Sequence, residues 1–262
     1  IGGFVLLFFG GNYLVKGAVD FAKHIKVSAL VIGVTVVSFG TSAPELVVSL
    51  QAALQGHPDI STGNVIGSNI SNIALVLAIT AMVYPIAVKR NSILFDWPIM
   101  MFVSILFYVF ILDLELSFTE GLVFFILIVG FNYWSIHKSR RTKEVVIEEQ
   151  VEKPKWTAWM AIFVIVLSSV ALVYGSDLLV RGATRVAMKF GVSERVISVS
   201  MVAVGTSIPE LATSVAAALK KELDISIGNI IGSNIFNLLA ILGITSMLHP
   251  ISINPMILRF DI

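Results

Sequence analysis

Glu45 and Glu210 stand in segments that are otherwise apolar, and the same string precedes each: GTSAPE at 40–45 and GTSIPE at 205–210. A carboxylate inside an apolar span is costly, and it marks an ion or proton path by default. Pro44 and Pro209 add backbone chemistry. Proline has no N–H, and its ring displaces the carbonyl four residues back. That frees the carbonyls of Gly40 and Gly205 and loosens those of Thr41 and Thr206. Ser38, Thr41, Ser42, Glu45 and Ser49 are spaced to share one helical face. The second copy offers Thr206, Ser207, Glu210 and Ser214, with Ala203 where Ser38 stands in the first.

A second pair of strings follows, GNVIGSNISN at 63–72 and GNIIGSNIFN at 228–237. In each, Asn64, Ser68 and Asn72, or Asn229, Ser233 and Asn237, recur at intervals of four. The glycines beside them, Gly63 and Gly67 or Gly228 and Gly232, read as close-packing positions. Ser49, Ser214, Asn69 and Asn234 read as residues that hydrogen-bond one helix to another. Pooled, the two copies offer only oxygen ligands. Calcium takes about six to eight oxygens in irregular geometry. Two bidentate glutamates plus the Thr41 and Thr206 carbonyls would supply about six. Two carboxylates match the charge of one Ca²⁺, and two or more Na⁺ could use the same oxygens. No His or Cys stands among the motifs, which argues against zinc.

The elements that must position these groups are transmembrane helices. Of the 262 residues, 56% are hydrophobic and 13% charged, against roughly 25% charged in soluble domains. A span needs about 20 mostly apolar residues. Eight such stretches are legible, at 1–19, 28–54, 61–84, 97–112, 118–137, 156–187, 194–219 and 225–248, and a ninth is expected to begin near Ile257. The sixth is long enough to extend past the bilayer. A net charge of +1 gives no reason to expect nucleic-acid binding, and with no cysteine there is no disulfide frame or thiolate site.

Shifted by 165 residues, the chain aligns with itself without a gap. Besides the two motif pairs, LVKGA at 14–18 meets LVRGA at 179–183. The first copy holds five helices before the second begins, so the second must enter the membrane from the opposite side. Inverted repeats of this kind are a transporter signature, with the site near the midplane between the halves. The expected architecture is an all-α integral membrane protein of two inverted five-helix repeats. Ten helices are expected, of which about eight are present. Residues 1–137 form the first repeat, 138–155 a solvated linker loop and 156–262 the second repeat without its last two helices. The native protein is expected to continue for roughly 45 residues, enough for two spans and a turn.

Orientation follows from the Lys/Arg bias of short loops. The side bearing Lys23, Lys26, Lys89, Arg90, the 138–155 loop, Lys220 and Lys221 holds twelve lysines and arginines. The other side has Arg185, Lys189, Arg195 and Arg259. This puts the loop in the cytoplasm and the N-terminus outside, in a cell membrane. Lys16 and Arg181 read as side chains that snorkel to the interface.

With both motif pairs in order at this spacing, the chain resembles the sodium/calcium exchanger family, within the calcium/cation antiporters. The short central loop is most similar to the prokaryotic members. The resemblance implies ten helices, a diamond of four ion sites and alternating access. It also implies Glu45 and Glu210 as the central calcium ligands, with the carbonyls of Thr41 and Thr206. Ser42, Ser68 and the Ala203 carbonyl would form one sodium-binding set. Ser207, Ser233 and the Ser38 carbonyl would form the other, and Asn72 and Asn237 would flank the middle site. The chain departs from some relatives at Asn237, where they carry aspartate, so its middle site has less charge. The expected function is Na⁺/Ca²⁺ antiport, with no enzymatic activity and no cofactor beyond the transported ions. The alternative is a Ca²⁺/H⁺ antiporter in which protons on the glutamates replace Na⁺. A cation channel weighs less, because inverted repeats with broken helices favour alternating access. An intramembrane aspartyl protease needs an aspartate pair. The expected partners are Ca²⁺, Na⁺ and the lipid bilayer, with no nucleic acid and no obligate protein partner.

Overall fold

A computed structural model of the chain describes residues 1–90, 92–141, 153–190 and 205–255. Helix α1 is Gly2–Ile25. Next come α2 (Ala29–Thr41) and α3 (Ala43–Leu54), one span bent by 48°. α4 is Pro58–Val83, α5 Ser92–Asp113, α6 Phe118–Arg141 and α7 Ala158–Lys189; the shorter α8 is Ile208–Leu219, and α9 is Leu223–Leu248. Six of these helices are long and apolar enough to cross a membrane, or seven with the bent pair counted as one span. The protein is a multi-pass integral membrane protein. At 32 residues α7 is the longest; at about 1.5 Å per residue it exceeds a hydrocarbon core of about 30 Å. The expected start of the seventh stretch at 194 and a ninth helix near Ile257 lie outside the described residues.

Local sequence explains the ends and breaks. Lys26 takes a left-handed conformation (φ 57°) after α1, and its N–H returns to the Ala22 carbonyl, an αL stop. Ser28 then caps α2 by accepting from Val31 N at 3.3 Å. The bend between α2 and α3 falls at Ser42 (φ −86°, ψ 11°), two residues before Pro44, the displacement expected of proline. Ser207 repeats it before Pro209 (φ −82°, ψ 1°).

The repeat is visible residue by residue. α3 and α8 have bounds 165 positions apart, and so do α4 and α9. Both long helices open into a π-turn at the equivalent place, Asn72–Val76 and Asn237–Ile241. The inversion shows in α1 against α7, which carry the equivalent LVKGA and LVRGA strings. Gly3 of α1 lies against Gly175 and Leu179, Gly10 against Ser168 and Leu172, and Gly17 against Ala161 and Ile165. As α1 advances α7 retreats, so equivalent helices run antiparallel.

The ends of the helices sort to two sides. Asp20 of α1 accepts from the backbone N–H groups of Lys155 and Trp156, just before α7. Arg140 at the end of α6 donates to the Ile25 carbonyl, and Ser28 N donates to Ser139 Oγ. Lys89, after α4, pairs with Asp224 at the start of α9 at 2.6 Å. At the far end of α9, Ile251–Ser252 pairs antiparallel with Glu115–Leu116, after α5. The outside is apolar, and the largely apolar interior encloses a set of polar side chains. Phe4, Phe8, Ile126 and Phe163 are exposed, while Glu45, Glu210, Asn72, Asn229 and Asn237 are buried.

Candidate cation site

The two glycines of the second GxxxG pair set how closely α9 approaches α2. A Cβ on Gly228 would stand 2.6 Å from the Leu30 carbonyl oxygen, and one on Gly232 would stand 2.5 Å from that of Val34. Only glycine permits that backbone contact. Among the described residues, nothing stands within 4 Å of a Cβ placed on Gly63. The approach of α9 brings its polar face onto the break at Ser42, where the two repeats become cross-linked in matching pairs.

Thr41 donates to Asn229 Oδ1 at 3.1 Å and meets Ser233 Oγ at 3.4 Å. Its counterpart Thr206 donates to Asn64 Oδ1 at 3.4 Å and meets Ser68 Oγ at 3.1 Å. The other end of each asparagine ties its own repeat together. Asn64 Nδ2 donates to Ser49 Oγ at 2.9 Å and to the Glu45 carbonyl at 3.3 Å. Asn229 Nδ2 donates to Ser214 Oγ at 3.0 Å and to the Glu210 carbonyl at 3.4 Å. Ser49 and Ser214 are therefore helix-joining residues, as their spacing suggested. Asn64 and Asn229 are frame residues whose role across the repeats was not read from the sequence.

A second matching pair lies deeper in α4 and α9. Asn72 Nδ2 donates to Asn234 Oδ1 at 3.1 Å, and Asn237 Nδ2 donates to Asn69 Oδ1 at 3.0 Å. Asn69 Nδ2 also reaches the Asn234 carbonyl at 3.3 Å. Asn69 and Asn234 thus join the two helices and turn the amides of Asn72 and Asn237. With each amide nitrogen engaged across the interface, the opposite oxygen must point the other way. Both of those residues open π-turns, a local widening that recurs at functional sites.

The result is a buried set of oxygen acceptors without donors. Glu45 Oε1 and Oε2, Glu210 Oε2, Asn72 Oδ1 and Asn237 Oδ1 are all buried and have no hydrogen-bond partner. Leaving a buried acceptor unmet costs about 1–3 kcal/mol, and more for a charged one. Of the twelve buried side-chain atoms without a partner among the described residues, these five are the carboxylate and amide oxygens of the paired motifs, and a cation would satisfy them. The other Glu210 oxygen accepts from Ser42 at 2.8 Å and from Ser233 at 3.3 Å. Ser42 comes from the first repeat, so it joins the two carboxylate-bearing helices. Ser38 turns its hydroxyl to the Val34 carbonyl at 2.6 Å, and its own carbonyl accepts from Ser42 N. Ser207 is buried beside Thr206, which is partly exposed. Ala203 lies outside the described residues. No three His, Cys, Asp or Glu side chains converge among the described residues. The acceptor set is two carboxylates with neutral oxygens around them, which fits a hard cation and not zinc.

A family model described as sodium/calcium exchanger protein matches residues 1–137 and 160–262. The chain belongs to the sodium/calcium exchanger family. Within the family it is 42% identical over 253 residues to the putative antiporter CaxA of Alkalimonas amylolytica, covering 95% of this chain and 79% of that one. It is 34% identical over 265 residues to the inner membrane protein YrbG of Escherichia coli, covering 97% and 80%. It also resembles the solved structure of the sodium-calcium exchanger NCX_Mj soaked with Na⁺ and no Ca²⁺. The TM-score is 0.83 at 32% identity, over 99% of this chain and 85% of that one. Family membership and that match accord with the inverted-repeat architecture read from α1 and α7.

Proposed function

We propose that this protein exchanges Na⁺ for Ca²⁺ across the membrane by alternating access at the interface of its repeats. The observation that carries the reading is the set of five buried, donorless oxygens, drawn from both repeats. A single Ca²⁺ would take the carboxylates of Glu45 and Glu210 with the carbonyls of Thr41 and Thr206, balancing two negative charges with two positive. Na⁺ would use the same acidic centre together with Ser42, Ser68 and the Ala203 carbonyl on one side. On the other it would use Ser207, Ser233 and the Ser38 carbonyl. Asn72 and Asn237 flank the middle. Competition for shared oxygens makes the two ions exchange, because the carboxylate pair is electrically satisfied by one load or the other. An empty pair of carboxylates is expensive to carry through the bilayer, which suppresses uncoupled return.

One feature favours Na⁺ over H⁺ as the counter-ion. A proton needs only the carboxylates. A protonated carboxyl offers a single O–H donor, whereas a Na⁺ shell would use both the Asn72 and Asn237 amide oxygens, which do not titrate and are buried without donors. The Lys/Arg bias orients the N-terminus outside and the 138–155 loop in the cytoplasm of a cell membrane. With inward Na⁺ flow the exchanger would then export Ca²⁺. The moving part would be the first two helices of one repeat with their counterparts in the other, sliding past the remaining bundle.

Proteoliposomes holding the full chain test the counter-ion. Radiolabelled Ca²⁺ should enter when Na⁺ is held inside at higher concentration than outside, and a pH gradient of either sign should not replace it. Uptake driven by the pH gradient and indifferent to Na⁺ would assign the Ca²⁺/H⁺ reading instead.

A further inference from the structure

Two cavities lie along one face of α1, one beside α8 and the other just past its end. One is apolar, about 520 Å³, lined by Phe4, Leu7 and Phe8 on α1 and by Leu211, Val215 and Leu219 on α8. The other, about 350 Å³, is lined by Lys16 and Lys23 on α1, by Lys155, and by Lys220 and Glu222 just past α8. They follow one another along α1. On α1 the lining runs Phe8, Asn12, Lys16, Val19, Lys23, a single face at helical spacing. On the α8 side it passes from Val215 and Leu219 to Lys220 and Glu222. The crevice is therefore apolar toward the start of α1 and cationic toward its end. That end lies on the side where the basic loops gather.

Lys220 sits at the junction, where its ammonium donates to the Asn12 carbonyl. Burial, with Lys16 beside it, pushes the Lys220 ammonium down to about 8, and the cluster around it holds more lysines than acids. Of its two acids, Asp20 is committed to the N–H groups of Lys155 and Trp156. That leaves Glu222, whose own carboxyl is pushed up by burial and by Asp224. An apolar slot ending in four lysines at the membrane interface has the charge and polarity pattern of one kind of occupant, a lipid with an anionic headgroup.

We propose that this groove binds an anionic phospholipid, its acyl chain lying between α1 and α8 and its phosphate against Lys16, Lys23 and Lys220. The lipid would fill the seam between the α1–α7 pair and the helix that carries Glu210. The proposal does not depend on which ion drives transport.

Native mass spectrometry of the full chain, purified in a mild detergent and supplied with defined lipids, tests it. Phosphatidylglycerol should remain bound at one per chain where phosphatidylcholine of the same chain length is lost. A basic residue near an anionic lipid contributes about a factor of five, so Lys16→Gln with Lys220→Gln should weaken phosphatidylglycerol roughly 30-fold. Lys16→Arg with Lys220→Arg should keep it, and Val215→Trp, which fills the apolar slot, should expel it with all lysines in place. Inorganic phosphate should not displace the lipid; displacement with no chain-length dependence would mean an anion site alone and overturn the lipid assignment. Equal retention of both lipids, or retention in the glutamine pair, would also overturn it. If the glutamine pair fails to fold, the arginine pair and Val215→Trp decide the matter.

Discussion

At the residue scale, the two glutamates and the two asparagine pairs do different work. Glu45 and Glu210 supply charge, so Glu45→Gln or Glu210→Gln should abolish Ca²⁺ flux, by about 100-fold or more, in protein that still folds. Each substitution removes the charge but leaves the shape. Asn69 and Asn234 supply direction. Asn234→Ala removes the acceptor that turns Asn72, at a cost of about 1–3 kcal/mol for the unmet amide. Transport should fall roughly tenfold, chiefly as a rise in the Na⁺ concentration needed for half-maximal exchange, measured by Na⁺-dependent Ca²⁺ uptake. A purely structural asparagine would lower melting temperature and leave that concentration unchanged. The acids were legible in the sequence because a carboxylate among apolar residues stands out and recurs at offset 165. The positioning role of Asn69 was legible only as a helix-joining bond. Which amide it turns depends on which helix faces it, and that is set by the fold.

At the scale of the element, glycine and proline placement decides geometry. Gly232→Val would drive a branched side chain into the Val34 backbone. Overpacking of this kind costs about 1–3 kcal/mol or more, so the melting temperature should drop clearly, while Gly130→Ala, inside α6 with nothing within 4 Å, should hold or raise it. Pro44→Ala restores an N–H that can bond the Gly40 carbonyl. It should straighten the 48° bend between α2 and α3 and cut Ca²⁺ flux, with spin-label distances across the bend reporting the straightening. The proline break was legible to within two residues of Ser42. The π-turns at Asn72 and Asn237 were not. A π-turn adds one residue to a helical turn without any compositional mark, and both asparagines suit an ordinary helix face equally well. Repetition was the only signal available, and it pointed at the residues without revealing the backbone.

At the scale of the whole molecule, the inversion is what would give the proposed site access from both sides. The repeat made the architecture legible before any coordinate, because an odd helix count forces the second copy to enter from the other side. The antiparallel run of α1 against α7 through Gly3, Gly10 and Gly17 is its physical form. Asp20 fastens that pair by taking two backbone N–H groups at the entrance to α7, at 2.9 and 2.8 Å. Asp20→Ala should leave both without this acceptor and lower stability by about 1–3 kcal/mol, seen as a fall in melting temperature, with ion binding retained.

The central claim is that one site built from both repeats takes Ca²⁺ and Na⁺ in competition. Equilibrium binding of radiolabelled Ca²⁺ to the purified full chain, titrated with Na⁺, tests it most directly. Na⁺ should displace Ca²⁺ cooperatively, and Glu45→Gln and Glu210→Gln should each abolish binding although they lie in different repeats. Ca²⁺ binding that is indifferent to Na⁺, or that survives either substitution, would contradict it.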